Sequence, residues 1–355
     1  MLAAALGAVV VTADMARAEI PTLGPGPKIK IATSTQSLPT IPQMVRVDAP
    51  YFKEIIPQKS GGRIEATVQS WAELNLTGQE IIRLVRSGQL DIGGAPLTTV
   101  SGDVPLLDGI DLAGLNPDIV TARKVANAMI PAANKDLEKF NNRIVGVMPY
   151  PAQVIWCKKA VTDLADLKGR KVRTFGPSLN DFVLAFGGQP VSVGFPEVYS
   201  ALERGVAECA VTGTGSGNAA KWYEVTTHIY ALVVGWSTGA YFVNVGWWSK
   251  LDPAVQAFLT AAIKEMEDKQ WALGAEATQD GLDCNTGKAA GCKIHTLVTK
   301  DPLTVVQPTA GDKALLKKIL AHNVLPGWVK RCGDRCGEIY NQVAAPITGV
   351  KYAAK

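Results

Sequence analysis

Histidine is scarce in this 355-residue chain, which contains three. His228, His295 and His322 are scattered, and none of them stands at the spacing of a metal-ligand pair or a catalytic triad. The Gly-x-Ser-x-Gly signature of serine hydrolases is also missing from the chain. The sequence therefore predicts no metal, no cofactor and no catalysis, although an exported hydrolase or isomerase with a similar cleft remains an alternative.

Charge of one sign is not concentrated anywhere along the chain. The formal net charge is +4 and no basic run occurs, which does not favour nucleic acid as a partner. The glycine- and hydroxyl-rich run from Thr212 to Gly217 resembles a phosphate cradle, but it lacks the Gly-Lys-Ser/Thr ending of a P-loop. These patterns predict neither a nucleic-acid surface nor a nucleotide site.

The first residues of the chain are an apolar run, and no other stretch reaches the length of a transmembrane helix. Leu2 to Val11 is apolar, and Ala16-Arg17-Ala18 after it is a small-residue cleavage pattern. A membrane anchor is the rival interpretation, but about ten apolar residues are too few to span a bilayer. We therefore predict a signal peptide over residues 1–18, cleaved after Ala18, and a soluble protein exported to the periplasm.

The six cysteines fit an oxidising compartment, in which disulfides persist. Cys284 and Cys292 flank a polar, glycine-rich segment, and Cys332 and Cys336 flank Gly-Asp-Arg, so both pairs look like local loop closures. Cys157 and Cys209 lie inside strand-like runs and are either buried thiols or disulfide partners. Spacing alone does not fix the connectivity.

Strand and helix patterns alternate along most of the chain, which predicts an α/β fold. The order from residue 27 is β-α-β-α-β, and residues 166–213 repeat the alternation. We predict lobe I over residues 27–149 plus about 237–281, and lobe II over residues 150–236 plus about 282–330. Residues 331–355 are predicted to form a tail that packs on the lobes. A cleft between two such lobes is the natural ligand site.

Three further predictions concern single helices and strands within the lobes. A helix over Met44 to Ile55 is expected to kink or break at Pro50, because proline removes a backbone donor. Pro253 is expected to open the longest helix, which runs to about Gly281. Residues 293–299 are predicted to form a strand.

Candidate binding residues follow from the strand ends, where ligands of α/β folds bind. Arg173 ends a short strand of the second lobe. Ser34 is the first of several polar residues that end the first strand of the chain. Trp236 is one of several tryptophans able to stack on an aromatic ligand, although tryptophans beside glycine-rich strands mostly serve packing.

The stretch from Asp166 to Gly213 resembles the DctP family, the solute-binding proteins of tripartite ATP-independent periplasmic (TRAP) transporters. The resemblance rests on the DLKGRKVR turn and strand, the Gly188–Pro190 step and the FPEVYSAL helix that ends at Gly205. The segments LTGQEIIRLVRSGQLDIGG and WWSKLDP resemble further parts of the family pattern. The resemblance covers most of the chain after residue 18.

The resemblance implies a type II periplasmic binding protein, with two α/β lobes around a ligand cleft and a long helix spanning both. It also implies that Arg173 pairs with a ligand carboxylate; without the family pattern, a surface ion pair would be preferred. Phe195 matches an aromatic residue that lines the family's cleft, and a core contact is the alternative.

Three positions depart from patterns found in the family. Thr212 stands where many members place an asparagine that bonds the ligand. A second arginine, common in members that bind larger sugar acids, would fall near Gln153. Gly176 is small where some members carry a polar side chain. These departures count against a sialic-acid-like ligand.

The function implied is a monomeric periplasmic receptor that captures a small organic acid by hinge closure and delivers it to a TRAP permease. A binding receptor of an ABC transporter or a sensor is the alternative within the same fold. With one arginine expected at the carboxylate, the ligand is predicted to be a mono- or dicarboxylic acid of modest size, with aromatic acids among the candidates.

Overall fold

The computed structural model describes residues 19–353, so the predicted signal peptide lies outside the described residues. The strands in this part are β1 (Ile29–Ser34), β2 (Ile64–Gln69), β3 (Ile92–Pro96), β4 (Asn142–Met148), β5 (Gln153–Cys157), β6 (Lys171–Thr174), β7 (Gln189–Ser192), β8 (Cys209–Gly213), β9 (His228–Gly235), β10 (Gly239–Asn244) and β11 (Thr304–Val306). The α-helices are α1 (Ile56–Lys59), α2 (Ile81–Arg86), α3 (Ile119–Leu137), α4 (Pro177–Ala185), α5 (Val198–Glu203), α6 (Thr214–Ala219), α7 (Val245–Trp248), α8 (Pro253–Asn285), α9 (Ala310–Ile319), α10 (Leu325–Cys332), α11 (Asp334–Val343) and α12 (Ala345–Thr348). The α/β fold class predicted from the sequence is confirmed.

The strands form two sheets. The first has the order β2-β1-β3-β10-β4, in which β1 runs parallel to β2 and β3 while β10 runs antiparallel between β3 and β4. The second has the order β11-β9-β5-β8-β6-β7, in which β5 runs antiparallel to β8 and β9. In both sheets the parallel strands point their carboxyl ends at the loops that line the cavity described below.

The chain passes between the sheets three times, the last time from β10 of the first sheet through α8 to β11 of the second. It leaves the first sheet after Met148 at the end of β4 and enters β5 at Gln153, and it returns between Gly235 at the end of β9 and Gly239 at the start of β10. Each sheet is thus built from segments that are not continuous in sequence, as the alternation suggested. The residue ranges of the two lobes stay a prediction.

The long helix α8 begins at Pro253, as predicted, and runs on to Asn285. Asp252 caps it by accepting a hydrogen bond from the backbone N–H of Ala254 at 2.8 Å. Its 33 residues extend for about 50 Å at about 1.5 Å per residue. The helix packs against β4 of the first sheet and against α6, which follows β8 of the second, so it connects the two halves of the molecule.

The helix around Pro50 does not break. π-helical turns at Met44–Asp48 and Tyr51–Ile55 lie on either side of this proline, and the helix then continues into α1. A π-turn shifts the hydrogen-bond register by one residue, which accommodates a residue without a donor. The predicted break is therefore wrong, whereas a kink at Pro50 stays a prediction.

Residues 293–299 do not form the predicted strand. Instead the carboxylate of Asp280 accepts hydrogen bonds from the backbone N–H groups of Lys293, Ile294 and His295. These donors are therefore not available for pairing with a sheet, and the segment folds as a loop against the side of α8.

Three disulfides pair all six cysteines. The local pairs Cys284–Cys292 and Cys332–Cys336 form as predicted. Cys157 and Cys209 face each other across β5 and β8 and form the third disulfide, which decides between the two alternatives left open by the sequence. Within residues 19–353 no helix combines the length and apolar character needed to cross a bilayer.

Candidate functional site

A cavity of about 510 Å³ lies between the loops of the two sheets. From the first sheet it is lined by side chains that include Ser37, Trp71, Thr98 and Tyr150. From the second sheet it is lined by Gln153, Arg173, Phe175, Phe195, Thr212 and Ser216. The volume lies within the range of about 300–1,000 Å³ typical of small-molecule sites.

Arg173 is the buried cation of this cavity. It lies on β6, one residue before the end of the strand, and is 2% exposed. Its Nε donates to the carbonyl oxygen of Val193 at 2.9 Å, and its Nη1 donates to the carbonyl oxygen of Val211 at 2.9 Å. These two bonds fix the guanidinium between β7 and β8 and leave Nη2 without a hydrogen bond to the described residues.

No acidic side chain neutralises Arg173. None of the ion pairs formed within residues 19–353 involves this arginine. Burial lowers its pKa to about 9, which leaves the guanidinium protonated at neutral pH. A buried charge without a partner is costly, so this cation is a strong site for an anionic ligand.

Three aromatic rings surround the guanidinium. Its central carbon lies 5.1 Å from the ring centroid of Phe175, 5.8 Å from that of Phe195 and 5.9 Å from that of Trp222. Phe195 in turn stacks on Trp222 with 5.4 Å between centroids. The rings stabilise the cation through their faces and keep water away from it, but they supply no negative charge.

The two halves of the cavity meet closely at its edges. A methyl group on Gly176 would lie 2.9 Å from both Cβ and Cγ2 of Thr98, and one on Gly194 would lie 3.0 Å from Cβ of Thr77. Thr99 Oγ1 also donates to the carbonyl oxygen of Phe175 at 3.3 Å. Loops of the first sheet thus touch loops of the second on both sides of the cavity.

Five of the seven predicted site residues line this cavity: Gln153, Arg173, Gly176, Phe195 and Thr212. Gln153 Nε2 donates to the carbonyl oxygen of Pro151 at 2.7 Å. The close approach of Thr98 leaves no room for a side chain at Gly176. The backbone there does not itself require glycine, because its φ lies in the extended region that any residue adopts. Which of these residues bind a ligand stays a prediction.

The other two predicted residues lie outside the cavity lining. Ser34 is fully buried at the end of β1. Trp236 packs in the core, where its Nε1 donates to the carbonyl oxygen of Asn116 at 3.2 Å. We therefore do not include them among the proposed ligand contacts.

Sequence reasoning missed several cavity residues, among them Phe175, Tyr150, Thr98 and Ser216. Phe175 follows the strand-end arginine by two residues, so the strand-end rule could have found it. Thr98 lies beyond the end of β3, and no local pattern in the sequence marks it.

A buried carboxylate stands behind Thr98. Asp108 accepts hydrogen bonds from Thr98 Oγ1 and, at 2.9 Å, from Ser178 Oγ of α4. Arg331 Nη2 lies 3.5 Å from Asp108 and 2.8 Å from Asp181. Burial outweighs these partners and raises the pKa of Asp108 to about 6. Asp108 thus holds the side chains of Thr98 and Ser178 in place beside the cavity.

One cluster of side chains of the metal-binding types occurs among the described residues, but it does not form a metal site. Asp280, Cys284 and His295 lie within reach of one ion, but the sulfur of Cys284 is bonded to Cys292. His295 Nδ1 lies 2.6 Å from Asp280 Oδ1, and its pKa is lowered chiefly by burial. The cluster fixes the loop after α8.

Comparison with known proteins decides the family. The DctP model, described as bacterial extracellular solute-binding protein, family 7, matches residues 42–307. This chain belongs to that family. The resemblance inferred from the stretch around Arg173 is confirmed.

Individual relatives are distant. The protein y4mM of Sinorhizobium fredii is 26% identical over 66% of this chain, and the match spans 44% of that protein's length. The 2,3-diketo-L-gulonate-binding periplasmic protein YiaO of Escherichia coli is 24% identical over 70% of this chain and 76% of its own.

Among solved structures, the Bordetella pertussis extracytoplasmic solute receptor DctP7, which binds pyroglutamic acid, superposes with a TM-score of 0.76 at 21% identity. The superposition covers 88% of this chain and 98% of that receptor. Similarity at this level establishes the two-lobed periplasmic binding fold.

Proposed function

We propose that this DctP-family protein is a periplasmic receptor that captures a small organic acid between its lobes and presents it to the membrane permease of a TRAP transporter. The proposal rests chiefly on Arg173, a buried guanidinium that lines the cavity and has no acidic partner among the described residues. A ligand carboxylate would supply the missing negative charge.

The geometry of Arg173 suits a carboxylate. Nε and Nη1 each donate to a backbone carbonyl, which holds the guanidinium in place. The remaining N–H groups form a planar fork that matches the two oxygens of a carboxylate, and burial strengthens such a pair. Phe175 and Phe195 would exclude water from the contact.

Capture requires the lobes to open and close. The contacts of Thr98 with Gly176 and of Thr77 with Gly194 lie at the edges of the cavity, where they would part when the lobes separate. A ligand bound to residues of both lobes would shift the population toward the closed arrangement, because it binds that arrangement better.

Export to the periplasm and a role without catalysis follow from the same proposal. Family membership supports both. The three disulfides support export, because disulfides persist in oxidising compartments. Ligand recovered chemically unchanged after long incubation with the protein would support binding without turnover. Conversion of the ligand would favour the hydrolase or isomerase alternative.

The test of the proposal is a thermal-shift screen of organic acids, each paired with its uncharged primary amide. We expect at least one acid to raise the melting temperature by several degrees while its amide, which cannot neutralise Arg173, has little effect. An amide that stabilised the protein as well as its acid would refute the assignment of the cavity to carboxylates.

The partner is tested separately. Transport of the stabilising acid into vesicles that contain a TRAP permease encoded beside this protein should require this protein. Transport that proceeded only with an ATP-driven permease would assign the receptor to an ABC system instead.

A further inference from the structure

The three crossings between the sheets differ in how freely their backbones can turn. The first, residues 149–152, contains Pro149 and Pro151, and each proline fixes its own φ and restricts the residue before it. The third passes through the continuous helix α8. The second, residues 236–238, contains no proline and no helix or strand. A rotation of one lobe against the other is therefore most easily absorbed in this second crossing.

Ser237, in the middle of the second crossing, has a strained backbone. Its φ is 47°, in the left-handed region that residues other than glycine seldom occupy. Such a conformation is unfavourable for a residue with a side chain and persists only where the surrounding structure enforces it. The neighbours of Ser237 must therefore hold it in this conformation.

The carboxylate of Asp111 bonds to the backbone on both sides of Ser237. Its Oδ2 accepts hydrogen bonds from the N–H of Trp236 at 3.0 Å and from the N–H of Thr238 at 2.9 Å. Its Oδ1 accepts a hydrogen bond from Asn116 Nδ2 at 2.8 Å, which fixes the carboxylate itself. Two N–H groups that flank a left-handed residue form a concave site for an anion, and they converge on one oxygen only while the backbone keeps this shape.

The charge of Asp111 makes these hydrogen bonds strong. Asp111 is 9% exposed, and none of the ion pairs formed within residues 19–353 involves it. A buried carboxylate without a cation depends on its hydrogen-bond donors, and bonds to an ionised acceptor are roughly twice as strong as bonds between neutral groups. The bonds to the crossing are therefore able to offset the strain at Ser237.

The carbonyl groups on either side of Ser237 connect the crossing to the surroundings of the cavity. The carbonyl oxygen of Trp236 accepts a hydrogen bond from the backbone N–H of Tyr150 at 2.9 Å, and that of Thr238 accepts one from Leu97 at 2.9 Å. Tyr150 and Ser237 both line the cavity. A rotation about the backbone of Ser237 would therefore change the relative positions of the cavity walls.

From these contacts, and resting on the proposed function, we infer that Ser237 is the pivot of lobe closure and that Asp111 is a positioning residue that holds it in the closed conformation. When the lobes open, Ser237 leaves the left-handed region and the hydrogen bonds from the flanking N–H groups to Asp111 break. Closure therefore includes the unfavourable backbone conformation of Ser237, and Asp111 offsets part of it. The residue at position 237 thus affects the affinity for the ligand through its backbone.

The test compares Ser237→Gly with Ser237→Ala in calorimetric titrations of the full chain with the acid that best stabilises it. Both variants lack the hydroxyl, so any contact of that group with the ligand is lost from both. Glycine occupies the left-handed region without the penalty that alanine has there. The glycine variant should therefore bind the acid about fivefold more tightly than the alanine variant, because its closed arrangement is more populated.

Asp301 provides the matched control. Its φ is 52°, so its backbone is also left-handed, but it is exposed and lies outside the cavity lining, in the loop before β11. Asp301→Gly and Asp301→Ala should differ in melting temperature and bind the acid equally.

The outcomes at position 237 separate this inference from the proposed function. Equal affinities of Ser237→Gly and Ser237→Ala would show that Ser237 keeps one conformation in the open and closed arrangements. That result would overturn the inference and leave the carboxylate receptor intact. Failure of every acid to bind the unaltered chain would overturn both.

The role of Asp111 is tested by Asp111→Asn. A neutral amide binds the N–H groups of Trp236 and Thr238 less strongly than a carboxylate does, so affinity for the acid should fall about tenfold. Adding Ser237→Gly to this variant should recover at least about threefold, because glycine adopts the left-handed conformation without that support. An Asp111→Asn variant that bound the acid with unchanged affinity, or a loss that glycine did not reduce, would contradict the role of Asp111. If Asp111→Asn did not fold, the comparison of glycine with alanine at position 237 would still decide the inference.

Discussion

Gly176 and Thr98 touch across the cavity so closely that a methyl group on Gly176 would lie 2.9 Å from Cβ of Thr98 and nearer still to its hydroxyl. Gly176 lies between β6 of the second sheet and α4, and Thr98 follows β3 of the first sheet. The approach of the two halves therefore depends on a missing side chain.

The variant Gly176→Ala should weaken binding of the stabilising acid about tenfold or more, because the added methyl group prevents the loops from closing over the ligand. Gly102→Ala is the matched control, since Gly102 also lines the cavity but has open space at its Cβ position. Calorimetry measures the affinity of both variants for the acid. Equal affinities of Gly176→Ala and Gly102→Ala would show that closure does not depend on the contact between Gly176 and Thr98.

Asp108 should make stability depend on pH. Its pKa is raised to about 6 by burial, whereas an aspartate in an unfolded chain titrates near about 3.9. Between these values the folded state binds more protons, so the contribution of Asp108 to stability is present below about pH 4 and is lost as pH rises through about 6.

Asp108→Asn removes this ionisation and keeps an acceptor for Thr98 and Ser178. We expect it to raise the free energy of unfolding by about 1–3 kcal/mol at pH 7.5 and to give a clearly smaller gain at pH 4.5, where most of the contribution of Asp108 is still present. Asp181→Asn, which removes the other carboxylate on Arg331, is the control. A gain that did not change with pH would contradict the assignment.

The disulfide Cys157–Cys209 lies at the end of β5 opposite the cavity residue Gln153. Replacing both cysteines with alanine should lower the free energy of unfolding by about 2–4 kcal/mol and leave acid affinity within twofold. Chemical denaturation and calorimetry measure the two effects.

The disulfide Cys332–Cys336 provides the comparison, because its sequence separation is 4 rather than 52. A shorter closed loop restricts the unfolded chain less, so its removal should cost about 2 kcal/mol less. An equal or larger loss in the Cys332→Ala/Cys336→Ala variant would contradict this order.

Features governed by local pattern were the ones the sequence predicted well. The strand that carries Arg173, the helix opened by Pro253 and the two local disulfides all depend on residues close together in the chain. The loop over residues 293–299 was missed because Asp280, more than ten positions away, takes the backbone donors that a strand would use.

The candidate site was predictable in part for the same reason. Arg173, Phe195 and Thr212 lie in one stretch with a recognisable order of strands and helices, and all line the cavity. Thr98 was missed because its role depends on Asp108 behind it and Gly176 opposite. These contacts exist only after two sheets from discontinuous segments are brought together.

The central claim is that Arg173 anchors the carboxylate of the ligand, and the most direct test is the affinity of its alanine variant. Calorimetry with the acid that best stabilises the protein should give a dissociation constant at least about 100-fold weaker for Arg173→Ala than for the unaltered chain. Arg204→Ala, which removes an exposed arginine outside the cavity lining, should bind as the unaltered chain does. An Arg173→Ala variant that folded and bound the acid with unchanged affinity would contradict the account.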